Sequence, residues 1–409
     1  MKKLPQDFFR TPYAFYAELR TEGPVHAIEL SSGVRAWLVV DLDAAREVLR
    51  HPAIRKDPHT DAGRRARGLP ADDTGVGVVN TRISYHLLNT DPPGHARLRR
   101  LVVPAFAPAR IEALAPRVRA IADELLDRMA ADDVGRVDLL SEYAFPLPIT
   151  VICELLGVPV ADRAEFREWS RIIVELSTAT QDEIRHATDA IADYFERLIE
   201  QRRAEGLGED LISDLIAASA DGDRLTDDEL ISMVFLILVA GHETTVNLIG
   251  NTVLALLSDP ARYRALHGNP EDVPALIEEM LRYDGPVNIA TLRYTTAPLT
   301  LGDTEIPADE MVLVALSSAN HDERHFSSAA DFDPQRPASG HLAFGHGIHF
   351  CLGAGLARLE ARIAITRLVE RCPDLRLAAD GGELRWRESM LIRGLHDLPV
   401  ELAGTPALR

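Results

Sequence analysis

Apolar side chains recur every three to four residues along most of this chain, and they fall to a period of two in only a few short stretches. Pro12, Tyr13, Phe15, Tyr16 and Leu19 share one face of a predicted helix over 11–22, which Gly23-Pro24 ends. Val25–Leu30 and Val34–Val40 alternate about Ser31-Ser-Gly33 and predict a hairpin. Asp41 caps a predicted helix through Leu49. From Asp57 to Thr81 the pattern dissolves into Gly, Pro, Asp and Arg, a long loop with either a function or a surface excursion to explain it. Asp91-Pro-Pro-Gly94 opens a helix at His95, and helical spacing continues over 111–130, 141–156 (interrupted by Pro146 and Pro148), 162–176 and 183–204, with a polar link at Ser177–Asp182.

Asp227 or Thr226 caps the next element, which runs to about Leu257 and is apolar nearly all round, the mark of a helix buried through the middle of a molecule. Another helix covers 271–283. Beyond Gly285-Pro286, Val287–Tyr294, Leu299–Ile306 and Met311–Leu316 predict short strands of a small sheet. A loop-rich stretch from Asn320 leads to a helix over Leu356–Arg371, and Leu384–Arg387 and Met390–Leu402 predict a few more strands. The chain carries no repeat, low-complexity tract or flexible linker. The expectation is one domain over 1–409, mainly α with a smaller β portion.

Charge narrows the range of partners. Lys+Arg 44 against Asp+Glu 63 give a net charge of −19, which argues against nucleic acid and anionic membranes. The exception is local: Arg97, Arg99, Arg100, Arg110, Arg117 and Arg119 face the single acid Glu112 across that stretch, either a solvated face or a basic patch. Cys153, Cys351 and Cys372 are too few and too scattered for a disulfide framework, so the expected compartment is the reducing cytoplasm. The N-terminus lacks the apolar core of a signal peptide, and Met233–Gly241, the most apolar run, is about half the length of a membrane span.

Three constellations carry candidate chemistry. In Phe344-Gly-His-Gly-Ile-His-Phe-Cys351-Leu-Gly353 a cysteine sits in a glycine-rich loop at the mouth of a helix, either a buried structural thiol or a metal-bound thiolate. The helix N-terminus is expected to lower its pKa, and Gly347 and Gly353 to permit a left-handed backbone or the close approach of a flat group. Ala240-Gly-His-Glu-Thr244-Thr245 puts an acid and hydroxyls into the buried helix, either a satisfied core network or a proton relay. Glu279-Met-Leu-Arg282 is, by itself, an i,i+3 pair of the kind common on helix surfaces.

Taken together these motifs resemble those of the cytochrome P-450 family, and the resemblance runs from Asp91-Pro-Pro to Arg393-Gly-Leu-His-Asp-Leu-Pro-Val400. It implies that fold, with a long buried helix over haem b (iron protoporphyrin IX) and small sheets at one side. It implies Cys351 as proximal ligand of the iron, and Glu243 and Thr244 as the acid–alcohol pair that delivers protons. His95, Arg99, Arg293 and His349 match the donors to the two propionates, with Ala240 and Phe344 bordering the haem. Glu279, Arg282 and Arg336, the last in Phe332-Asp-Pro-Gln-Arg336, match a buried structural cluster that pins the cysteine loop.

The implied activity is insertion of one atom of O2 into a C–H bond, or epoxidation, of a hydrophobic small molecule, expected to be a secondary metabolite. Oxidative coupling, rearrangement and peroxygenation by the same haem are alternatives. A non-catalytic haem sensor is an alternative of another class, against which Glu243-Thr244 speaks. Electrons are expected from a separate ferredoxin and ferredoxin reductase, with the arginines over 97–119, Arg358 and Arg362 as a basic landing patch on a monomeric, soluble protein. The substrate pocket is expected to draw on the 57–89 loop, the 176–182 link and Leu87, Val239, Val287, Ile289, Ala290, Leu391 and Ile392.

Overall fold

A computed structural model describes residues 1–30, 33–67, 80–131, 135–159, 162–174, 179–220, 223–378 and 384–402. The helices in chain order are α1 (Pro12–Glu22), α2 (Leu42–Arg50), α3 (Asp61–Ala66), α4 (Gly94–Val102), α5 (Pro108–Ala113), α6 (Ala115–Ala131), α7 (Pro146–Leu156), α8 (Arg163–Val174), α9 (Gln181–Glu205), α10 (Leu211–Ala217), α11 (Asp227–Leu257), α12 (Pro260–Gly268), α13 (Val273–Asp284), α14 (Leu316–Ala319) and α15 (Ala354–Arg371). The main sheet joins β1 (Lys2–Lys3), β2 (Val25–Glu29), β3 (Arg35–Val39) and β4 (Ile54–Arg55) to later strands. Short pieces follow at β5 (Arg136–Asp138), β6 (Ser219–Ala220), β7 (Asp223–Arg224), β8 (Arg293–Thr295), β9 (Leu299–Leu301), β10 (Thr304–Ile306), β11 (Met311–Val314), β12 (Leu375–Leu377) and β13 (Pro399–Leu402).

Helix α11 organises the rest. Thr226, not Asp227, caps it, in a reciprocal box with Glu229, so two orphan N–H groups are satisfied at its start. Its 31 residues span about 46 Å. It passes the length and composition test for a membrane span, but 72% of its most apolar window is buried inside the molecule. It packs against α7, α9, α13 and α15, and their apolar faces merge into the main core. The six-stranded sheet runs β1-β2-β3-β11-β8-β4, with β11 parallel to β3 and antiparallel to β8. Strands β2 and β3 thus share one sheet with β8 and β11, far from them in sequence, while β9 and β10 form a separate hairpin.

Several expectations change. The 57–81 stretch is not all loop: Thr60 caps α3, and a 3-10 turn covers Thr81–Ile83, while 68–79 lie outside the described residues. Helical structure over 140–156 is interrupted as expected at the prolines, a π-helical turn over Leu140–Ala144 giving way to α7 at Pro146. Pro146 and Pro148 occupy the first turn of α7, where a missing N–H costs nothing. The link expected over 177–182 ends earlier than predicted, because Thr180 caps α9 from Gln181, while 175–178 lie outside the described residues. The strand expected over Val287–Tyr294 reduces to β8; before it, only isolated bridges form, Val287 with Ile392 and Ile289 with Ala315. The C-terminal strands reduce to β13 and bridges for the same reason: these segments cross the molecule without a neighbour long enough to ladder with.

Candidate active site

The cysteine loop is closed by one backbone bond, Cys351 N–H to the Phe344 carbonyl at 2.9 Å. Gly347 has φ +75° and a Cβ there would meet the Leu49 carbonyl at 2.8 Å, so only glycine fits; Gly345 is also left-handed, at +73°. Gly353 has φ −84°, and a Cβ on it would meet no protein atom within 4 Å, so neither reason for glycine applies within the chain. The Arg358 guanidinium lies 4.4 Å over the Phe344 ring and is held there by a bidentate pair with Glu278. Cys351 sits just ahead of α15 with its side chain accessible. Contrary to the sequence expectation, its thiol pKa is raised: burial outweighs the relief from the Gly353 N–H and from Arg99 and Arg358.

Helix α11 has a matching window. From Leu230 to Val253 only Leu236, Val239, Ala240, Gly241 and Thr244 keep accessible surface, and Ala240 is the most open. Thr244 Oγ1 donates back to the Ala240 carbonyl at 2.9 Å, the local bond expected of a threonine inside a helix. Glu243, one position on and so about 100° around the helix, is buried and directed elsewhere: Ser170 of α8 donates to its Oε1 at 3.1 Å.

Basic side chains gather beside the loop. Arg99 donates to the carbonyls of Ile348 and Phe350 at 3.2 and 3.1 Å, so it buttresses the loop backbone. The rings of His95 and His349 lie 4.4 Å apart, edge to face. His95 Nε2 is buried with no hydrogen-bond partner. Arg293 is buried and bonds the Thr291 carbonyl at 2.6 Å, with its pKa lowered by burial to about 10. Lys56, which the sequence reading missed, belongs to the same group: it is buried, it donates to Thr291 Oγ1 at 2.7 Å, and burial followed by repulsion from Arg293 holds its pKa well below normal. Burial, then Lys56, His95, Arg293 and Arg99 in turn, presses His349 down to about 2. The nearest acid, Asp91, is already engaged by the backbone N–H groups of Lys56 and Asp57. So many buried donors without an opposing charge fit an anion.

Glu279 and Arg282, both fully buried, form a two-point pair at 2.7 and 2.8 Å, and Arg336 joins through Nε at 3.3 Å. Arg282 also donates to the carbonyls of Asn320, Ala329 and Asp331. The Asn320 side chain then accepts from Leu342 N–H at 2.6 Å, so the cluster reaches the cysteine loop through one intermediary.

Of the seven expected pocket residues, Val239, Val287 and Leu391 keep accessible surface, while Leu87, Ile289, Ala290 and Ile392 are buried. The bond from Asn288 N–H to the Leu391 carbonyl and the Val287–Ile392 bridge bring the 287–290 and 391–392 segments together. Most of the expected basic patch is neutralised. Arg97 pairs with Asp223 and Glu229, Arg110 with Asp214, Arg117 with Glu124 and Glu154, and Arg362 with Glu112. Only Arg100 and Arg119 of that stretch are exposed without an acid in reach among the described residues; Arg99 is turned to the cysteine loop, and acids from other elements close over Arg97 and Arg110.

Glu360 on α15 is fully buried with both carboxyl oxygens lacking a hydrogen-bond partner, and burial drives its pKa well up, eased only by Thr245. The folded state therefore holds a proton that the unfolded chain releases near its ordinary carboxyl pKa. Stability from this group is complete below that value and falls as pH rises towards the folded pKa, by up to about 1.4 kcal/mol per pH unit. Glu360→Gln is expected to flatten that decline, which thermal unfolding at several pH values between 5 and 8 would measure; an unchanged slope would mean the carboxyl has a charge partner.

A thiol at the mouth of one helix, an accessible window on a long buried second helix and a pocket of unopposed cations define a haem-binding oxidoreductase class. A family model described as "Cytochrome P450" matches residues 166–373. The chain belongs to the cytochrome P450 family and is a monooxygenase that uses haem iron and O2. It is 49% identical over 389 residues to cytochrome P450 107B1 of Saccharopolyspora erythraea, covering 94% of this chain and 93% of that protein. It is 47% identical over 398 residues to the cytochrome P450 monooxygenase PikC of Streptomyces venezuelae, covering 97% and 92%. The solved structure of the tirandamycin C-bound P450 monooxygenase TamI matches with a TM-score of 0.90 at 40% identity, covering 98% of this chain and all of that one.

The residues present fit haem. The partnerless His95 Nε2 and the buried donors Arg293 and Lys56 suit a dianion. The accessible thiol, whose raised pKa calls for a metal cation to hold its anion, suits iron.

Proposed function

We propose that Cys351 is the proximal thiolate ligand of haem b and that Lys56, His95, Arg99, Arg293 and His349 receive its propionates, with Ala240 and Phe344 against its faces. The accessible thiol at the entrance of α15 is the observation that carries this reading. Bound thiolate-ligated haem supplies O2 activation, and the thiolate favours O–O cleavage. The protein's own work is to hold, orient and supply protons. Arg358 and Phe344 fix the loop's position, and Glu279, Arg282 and Arg336 keep its approach rigid. Thr244 presents a hydroxyl on the accessible window of α11; burial would raise the pKa of Glu243 beside it, but His242, Arg387 and Ser170 outweigh burial and lower it, so Glu243 is the carboxylate through which protons are passed on.

The substrate is a hydrophobic small molecule of secondary metabolism, received by Val239, Val287 and Leu391 with Leu87, Ala290 and Ile392 behind them. Ile289, 2% exposed and packed in the apolar cluster of Phe8 and Tyr16, is left out of this lining. The tirandamycin C bound by TamI and the roles of relatives, such as the mycinamicin IV hydroxylase/epoxidase of Micromonospora griseorubida, support a product of this kind. Electrons come from a separate ferredoxin and its reductase, which dock near Arg100 and Arg119, and the protein works as a cytoplasmic, monomeric single domain.

Thr244→Ala is expected to bind haem normally, to lower the product-forming rate by about 10²-fold, and to raise the peroxide released per electron pair. Unchanged coupling of electrons to product would remove Thr244 from the role. Heavy oxygen supplied as O2 should appear as one atom in the product; its absence would favour coupling or rearrangement.

A further inference from the structure

Glu243 does not stand alone. His242 Nδ1 lies 2.7 Å from the Leu238 carbonyl, which can only accept, so that nitrogen carries a proton. His242 Nε2 lies 3.1 Å from Ser170 Oγ, and Ser170 Oγ lies 3.1 Å from Glu243 Oε1. The direct gap from Nε2 to Oε1 is 3.5 Å, too long for a good hydrogen bond, so the hydroxyl is the bridge. All three side chains are buried. The serine has one proton and cannot donate to both neighbours. If it donates to Glu243, His242 must be an imidazolium; if it donates to His242, Glu243 must be a carboxylic acid. In either of these two arrangements, at least one transferable proton is held between the ring and the carboxyl.

We propose that Ser170 of α8 joins His242 and Glu243 of α11 into a proton store, and that this store passes to Glu243 the proton it delivers. This deepens the role given above to Glu243 and rests on it. Transfer is balanced within the triad. Nε2 gives its proton to the Ser170 oxygen as that hydroxyl gives its own to the Glu243 carboxylate, so an imidazolium–carboxylate pair becomes a neutral ring and a neutral acid with no change in net charge or oxidation state. Ser170 and His242 are positioning residues, because neither lies on the accessible window of α11. Among the described residues the pair is also faced by the Arg387 guanidinium from the C-terminal segment, which favours ionised Glu243, and by the Phe145 ring, edge to face with His242 at 5.8 Å. The store spans two helices, so its integrity depends on α8 staying against α11.

The test uses the haem-loaded protein, reduced and bound to carbon monoxide, with 15N-labelled histidine for magnetic resonance and infrared detection of the Glu243 carboxyl. The wild type should show complementary signals, with imidazolium and neutral carboxyl fractions sharing at least one proton across neutral pH and titrating as one unit. Ser170→Ala should separate them into two independent titrations and lower product per electron pair several-fold. Ser170→Thr, which restores the hydroxyl, should recover both. A neutral His242 beside a fully ionised Glu243 in the wild type would overturn the proposal, and so would an unaltered joint titration in Ser170→Ala; the first needs no variant to fold. A normal thiolate spectrum with either of those results sinks only the store, whereas loss of that spectrum in the wild type sinks the reading of the site itself.

Discussion

Glu279→Ala will destabilise the protein by about 3–5 kcal/mol, because it leaves the fully buried Arg282 guanidinium without its carboxylate. The surrounding carbonyls of Asn320, Ala329 and Asp331 already accept from Arg282 and cannot neutralise it. Arg336 loses the same partner, and the Asp333 N–H loses its acceptor at 3.0 Å. The damage should spread along the chain to Leu342 through Asn320, so haem retention should fall together with the unfolding midpoint. Urea unfolding with parallel haem absorbance would measure both. A loss below about 1 kcal/mol, the range of an exposed pair, would show that solvent reaches the cluster.

Cys351→Ala will abolish the thiolate signature and with it all monooxygenase turnover. The fold should survive, because the loop is shaped by the Cys351 N–H bond to Phe344, by the left-handed Gly345 and Gly347 and by Arg358 over Phe344, none of which uses the sulfur. Burial raises the pKa of this thiol and so favours its neutral form in the metal-free chain, so its removal takes away no charge there. Circular dichroism and unfolding should therefore resemble the wild type while turnover disappears. Retained activity at even a few per cent of the original rate would require another ligand and would refute the assignment of the iron site.

Much of this architecture was legible in the sequence where the signal is local. The all-round apolar run of α11, the Asp41 cap and the i,i+3 pair Glu279–Arg282 each depend on neighbours within a turn or two. The cysteine loop was legible for the same reason, since residue types and glycines stand side by side. What was not legible is what distant segments contribute. Lys56 gives no sign in its own stretch, and it joins the cation pocket only because β4 pairs with β8 and delivers it beside Arg293. The arginines over 97–119 look like a basic surface until Asp214, Asp223 and Glu229 arrive from other elements. The expected drop in the Cys351 pKa failed because burial, a property of the whole fold, outweighs the local helix terminus. Ser170 in α8 was likewise unremarkable until the fold set it between His242 and Glu243.

The most direct measurement is the absorption spectrum of the purified protein after reduction and exposure to carbon monoxide. Ligation by Cys351 predicts a Soret band shifted strongly to the red, lost in Cys351→Ala and retained in Thr244→Ala. A histidine-type spectrum from folded protein, or protein that takes up no haem when the cofactor is supplied in excess, would contradict the account at its root.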